Sequence, residues 1–186
     1  GLIFYKMHSQ LKNNQYASGL ERYIHQLALA TYSPGGHLKK ICEYSLHFNF
    51  SAICTTPIRI AEAKDYIGKK ETTKLIALIS FPFGESPIQI KRKEAEWSFE
   101  NGADQIDIVP NINALMQGKI NLFAEEIASI CELGLPTRVI LNTKKLEPKY
   151  IKIAIEAAID AGVIGIQSTD GFGQSINAND INQLKK

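Results

Sequence analysis

Several residues in this chain have types and surroundings that could carry chemistry. Asp107 lies inside an apolar run, QIDIVPNI, where a carboxylate is costly unless paired, so it either relays protons or is half of a buried ion pair. Lys144 and Lys145 follow the run TRVILNT, and a deprotonated amine there could attack a carbonyl, although charged loop residues ordinarily face water. Gly171 and Gly173, in STDGFG, could offer backbone N–H groups to an anion. The remaining candidates read as scaffold. Cys54 sits among apolar neighbours with no basic partner nearby in sequence, as an inert core thiol does. His25 is a lone histidine, expected to be hydrogen-bonded and structural. Pro82 and Gly84 in FPFG read as the cap of a strand end.

The elements that must position these residues alternate along the chain. Six apolar runs, YIHQLAL, FSAICTT, TKLIALISF, QIDIVPNI, TRVILNT and VIGIQST, are rich in Ile, Val or Leu on both faces, as strands covered by helices require. Between them, GGHLKKICEYSLHFN, PIRIAEAKDYIG, IQIKRKEAEWSFENG, NLFAEEIASICELG and EPKYIKIAIEAAIDAG have helical apolar spacing and glycine or asparagine stops. NANDINQLKK predicts the start of another helix. The pattern is that of βα repeats around a parallel sheet, and no Pro-, Gly- or Ser-rich linker divides it. Residues 20–186 therefore read as one barrel domain and 1–19 as an N-terminal arm. A closed (β/α)₈ barrel needs two strands more. An open doubly wound sheet fits less well, because HQLALATYSPGG is a poor match to a glycine-rich phosphate turn.

Composition narrows the function classes. The 186 residues carry a formal net charge of +2 and no basic run interleaved with aromatics, so no nucleic-acid surface is expected. Three widely spaced cysteines suggest neither a disulfide framework nor a zinc site, and a reducing compartment, cytoplasm or organelle stroma or matrix, is the default. No metal or cofactor is expected. No apolar stretch is long enough to cross a bilayer, and the apolar start of GLIFYKMHSQ is too short for a signal sequence.

The stretch LISFPFGESPIQIKRKEAEWSFENGADQIDIV, followed by VPNINALMQG, TRVILNT, AAIDAG and STDGFG, resembles the deoxyribose-phosphate aldolase family. Members carry a strand ending in G-F-P-x-G and a helix closing in E-N-G-A-D-E-I-D, and the likeness extends from about Leu20 to the C-terminus, with AICTTP where the family has V-C-V-N-P. The resemblance implies a TIM barrel, C-terminally incomplete with six strands visible, and class I aldol cleavage. In that chemistry a lysine on the sixth strand forms an imine with the sugar carbonyl, while an aspartate on the third strand and a lysine on the seventh handle protons. Asp107 matches the aspartate, and Arg138 stands where the family has a lysine near it. Lys74, preceding its strand, belongs at the opposite, stability face.

Where the family's sixth strand reads K-T-S-T-G, this sequence reads Gln167, Ser168, Thr169, Asp170, Gly171. A carboxamide nitrogen has its lone pair delocalised into the carbonyl, so Gln167 cannot form the imine. The family's strand-five E-T becomes Asn142 and Thr143, and its strand-one I-D-H-T aligns with Ile24, His25, Gln26 and Leu27. Asp107, Arg138, Gln167 and Asn142 then form a vestigial pocket, with Asp107 and Arg138 expected as a structural ion pair. Two functions follow as expectations. One is a catalytically degenerate homologue serving as a structural or binding subunit of a larger assembly, with other proteins or its own copies as partners. The alternative is an active lyase on a sugar phosphate that takes its amine from Lys144, from Lys145 or from residues beyond Lys186. A small-molecule sensor using the old pocket is a third.

Overall fold

The computed structural model describes residues 19, 21–29, 36–69 and 72–171. Most of the expected arm, Gly173 and the helix expected from NANDINQLKK lie outside the described residues. Six strands form one sheet: β1 (His25–Ala28), β2 (Ala52–Thr55), β3 (Lys74–Ile79), β4 (Gln105–Ile108), β5 (Thr137–Ile140) and β6 (Gly165–Gln167). They pair in chain order, every pair parallel, and β1 and β6 each have one strand neighbour among the described residues. The helices between them are α1 (His37–His47), α2 (Ile60–Ile67), α3 (Ile88–Glu100), α4 (Ile112–Met116), α5 (Ile120–Cys131) and α6 (Pro148–Asp160). The result is an α/β arrangement of the TIM-barrel type, with six of the eight strands of a closed barrel among the described residues.

Strand alternation sorts the side chains into two layers. Ile53, Leu75, Ile79, Ile106, Ile108 and Val139 are buried with Phe123, Ile127 and Ile130 of α5 and with Ala154 and Ala158 of α6. Residues of the other parity, Ala52, Cys54, Ile76, Leu78, Val109 and Ile140, form a smaller cluster on the inner face. Both faces are covered, which is why the strands read as continuous apolar runs. Asp107 and Arg138 have the parity of the inner face: the register aligns Leu78 with Asp107, Asp107 with Arg138, and Arg138 with Gly165.

Three expectations change. QIDIVPNI is not one strand: β4 ends at Ile108, Pro110 follows, and the Asn111 carboxamide oxygen accepts from the Ala114 N–H to cap α4. Five helical residues are too few for a periodic signal, so the helix went unseen. TRVILNT likewise stops as a strand at Ile140, because Asn142 takes a positive φ of 29° and a 3₁₀ turn, Thr143–Lys145, follows. Asp107 lies on the fourth strand, as the order of the apolar runs expects, and not on the third, where the resemblance put the family aspartate.

The exit from β3 is held tightly. Ser80 has a φ of 53° and its N–H donates to Glu94 Oε2 at 2.8 Å, while the Gly84 N–H donates to Ser80 O at 2.8 Å. Gly84 has a φ of 70°, and a Cβ there would stand 2.4 Å from Pro110 O, so only glycine fits.

Candidate functional site

Asp107 is fully buried on β4, and its carboxylate receives Arg138 from the neighbouring strand in a two-pronged pair. Arg138 Nε donates to Asp107 Oδ1 at 2.9 Å and Nη2 to Oδ2 at 2.5 Å. Gln105, two residues back on the same face, donates its carboxamide N–H to Oδ1 at 3.0 Å. The expected ion pair is present, and this fork geometry is the strong form of an arginine–carboxylate bond.

A third member comes from the far side of the sheet. Arg138 Nη2 lies 3.0 Å from His25 Nδ1 on β1. Arginine can only donate, so His25 Nδ1 carries a lone pair and the ring is neutral with its proton on Nε2. Burial, and then the Arg138 charge, hold the His25 pKa below its ordinary value, against the opposing pull of Asp107. Burial also works against the Arg138 cation, but the bonds and charge of Asp107 outweigh it and raise its pKa. Cys54, on the same inner face of β2, is pushed up to about 12 by burial and then by the Asp107 charge, so it is a thiol at neutral pH and no nucleophile.

At the C-terminal ends of β5 and β6 lies a second polar group. The register pairs Gln167 with Ile140 of the inner cluster, so Gln167 has inner-face parity at the end of β6. Its carboxamide N–H donates to Thr169 O at 2.9 Å; among the described residues it bonds neither Asp107 nor Arg138. Asn142 donates to Asp170 Oδ2 at 2.7 Å, and Lys145 Nζ stands 3.9 Å from the same oxygen. Lys144 and Lys145 both face solvent, the Lys145 side chain being 73% exposed. Gly171 has a φ of 81°, and its N–H is already given to Thr169 Oγ1 at 3.2 Å, which leaves it less to offer an anion. Lys74 opens β3 at the opposite end and is exposed. The structure thus joins Asp107 to Arg138 and Asn142 to Asp170, and leaves Gln167 bonded within its own turn.

Sequence reasoning missed a third polar cluster. Lys91 on α3 is fully buried and gives its ammonium to Glu126 Oε1 of α5 at 2.8 Å, Gly84 O at 2.6 Å and Val109 O at 3.2 Å. Glu126 Oε2 accepts the Asn111 N–H at 2.8 Å. Burial depresses the Lys91 pKa, with the bond and charge of Glu126 opposing. The signal was in the spacing: Lys91 shares the buried stripe of Ala95 and Ser98, and Glu126 that of Phe123, Ile127 and Ile130.

An apolar groove of about 360 Å³, lined by Ile155, Ile159, Val163, Ile164, Gly165 and Ile166, lies along α6 and β6 and includes none of these polar groups. Among the described residues no helix is long and apolar enough to cross a membrane, and no group of three His, Cys, Asp or Glu side chains could hold a metal ion.

No protein-family model matches the chain. Its sequence is 33% identical over 159 residues to the deoxyribose-phosphate aldolase of Thermococcus kodakarensis, covering 83% of this chain and 71% of that protein. It is 34% identical over 160 residues to that of Thermococcus gammatolerans, covering 83% and 71%. Among solved structures, the fold matches "QR15, an Aldolase" with a TM-score of 0.84 at 26% identity, covering 90% of this chain and 76% of that one. It also matches the deoxyribose phosphate aldolase of Aeropyrum pernix, described as tetrameric, with a TM-score of 0.77 at 20% identity, covering 89% and 70%.

Proposed function

Because the chain belongs to the deoxyribose-phosphate aldolase family, we propose that it is a divergent member that keeps the family barrel without its imine chemistry and serves as a binding or structural subunit of an assembly. The observation that carries this reading is Gln167, which occupies the position where the resemblance places the imine-forming lysine. Its nitrogen can neither attack a carbonyl nor become an electron sink. Asp107 supports the same reading, since both its oxygens are engaged by Arg138 and Gln105 and any proton transfer would have to break those bonds. Fold and reaction are separable, so a kept barrel does not imply a kept activity. The tetrameric relative from Aeropyrum pernix makes self-assembly the first partnership to test.

The test is cleavage of a deoxyribose phosphate by the purified chain, expected to be absent. Gln167→Lys alone is expected to stay far below a working aldolase. An imine lysine needs a neighbouring cation to lower its pKa, and Arg138, the cation on the same inner face, is already paired with Asp107. Turnover by the unaltered chain would defeat the reading.

The names of the relatives favour a second reading, an active lyase on a deoxyribose phosphate that takes its amine from Lys144 or Lys145. These lysines follow β5 at the end where barrel active sites lie. Loss of cleavage in Lys144→Arg or Lys145→Arg would identify the amine.

A further inference from the structure

We infer that Asp170 is the positioning residue of the β5–β6 mouth: its buried carboxylate holds Asn142 in a left-handed backbone conformation and fixes the Lys144–Lys145 turn beside the end of β6 that carries Gln167. The ladder between the two strands continues past their ends, with the Leu141 N–H donating to Gln167 O at 2.9 Å and the Thr143 N–H to Ser168 O at 3.0 Å. Between those two bonds the backbone turns through Asn142, at φ 29° and ψ 62°. Asparagine tolerates this region better than most residues, but the conformation persists only where its surroundings enforce it. Asp170 does so. It is 7% exposed and takes the Asn142 carboxamide N–H at 2.7 Å, a charge-assisted bond shielded from water. The same oxygen lies 3.9 Å from the Lys145 ammonium, but that side chain is 73% exposed and the contact is screened by water, so the hold on the turn is the Asn142 bond.

The arrangement also accounts for two departures noted in the sequence. Asn142 and Asp170 stand where the family motifs of the resemblance read Glu and Thr, so one carboxylate is kept, in the turn after β6 rather than the turn after β5. The inference rests on the reading that this end of the barrel is the functional site, yet it is measured without catalysis, so the two fail separately.

The test uses Asp170→Asn, Asn142→Asp and the double swap in the full chain, with two readouts. Asp170→Asn is expected to speed amide exchange at Thr143, Lys145 and Leu146 by about tenfold, the factor that a charge-assisted hydrogen bond of ordinary strength supplies. It is also expected to raise the methylation of Lys145 by formaldehyde and cyanoborohydride relative to Lys152, a 79% exposed lysine on α6 that does not contact Asp170. Asn142→Asp sets two carboxylates face to face and is expected to speed the amide exchange further. The swap rebuilds an amide–carboxylate bond with the roles exchanged and is expected to bring both rates back near those of the unaltered chain. Unchanged rates in the single variants, or a swap no slower than the singles, overturn the inference. Should Asn142→Asp fail to fold, Asp170→Asn and Asp170→Thr decide it: Lys145 labelling above the unaltered chain in both supports the inference, and equal labelling overturns it.

Discussion

Among the described residues two ion pairs are buried, and they are unlike. Lys91–Glu126 is sealed: the lysine is 0% exposed, the glutamate side chain 5%, and the remaining ammonium protons go to two backbone carbonyls. Those carbonyls, at Gly84 and Val109, belong to the loops leaving β3 and β4, so the pair ties α3 and α5 to two neighbouring strand exits. Asp107–Arg138 is less closed. The arginine side chain is 20% exposed and leans on a titratable ring, His25, from β1. The first pair is closed by backbone carbonyls and ties the scaffold; the second is completed by a histidine, which ordinarily titrates near neutral pH, and lies on the inner face. A buried pair thus signals a site by what completes its hydrogen bonds, not by its charges.

The contrast is broken most severely at the sealed pair. Lys91→Met leaves Glu126 as a buried, unpaired carboxylate and is expected to cost about 3–5 kcal/mol in urea unfolding. Lys91→Met with Glu126→Leu is expected to recover much of that, because removing both charges also removes the desolvation penalty. A double variant as unstable as the single one would show that the loops depend on the ammonium itself.

At the inner pair, Arg138→Ala is expected to cost on the order of 3 kcal/mol, since it strands Asp107 and opens a cavity, and Asp107→Asn distinctly less, since an amide can still bond the guanidinium. Equal melting temperatures for the unaltered chain and Arg138→Ala would remove the pair from the account. Gly84→Ala sharpens the comparison from the scaffold side: a positive φ and a Cβ driven against Pro110 O are expected to cost on the order of 1–3 kcal/mol.

The smallest effect is the one that only the inner pair should show. The His25 pKa is depressed in the fold, so the unfolded chain takes up the proton first as pH falls. The stability that neutral His25 contributes is fully present above its ordinary pKa of about 6.5 and is lost as pH drops from there through the folded value. Melting temperatures between pH 8 and pH 5 are expected to fall more for the unaltered chain than for His25→Gln, and parallel curves would show that His25 does not sense the pair.

Much of the fold was legible because each strand is apolar on both faces and each long helix ends at a glycine or asparagine. What escaped was short or non-local. α4 has too few residues to display a period, and Pro110 and Asn111 ended a strand that apolar content alone would have extended. Asp107 and Arg138 could be paired from residue type, since each charge stood alone in an apolar run. The contact of Arg138 with His25 could not, because it joins residues 113 apart through sheet register and curvature. Lys91 and Glu126 were readable as charges on apolar helical stripes, a signal that the family motifs around them overshadowed. Asp170 was visible as an acid in a polar motif, but its importance comes from burial against Asn142, which no one-dimensional pattern displays.

Whether an amine of this barrel forms an imine is decided by incubating the chain with a deoxyribose phosphate, reducing with sodium borohydride and weighing the intact protein. With Gln167 at the imine position, the unaltered chain is expected to keep its mass. A covalent adduct that forms only with substrate and maps to Lys144, Lys145 or any other lysine would contradict that expectation.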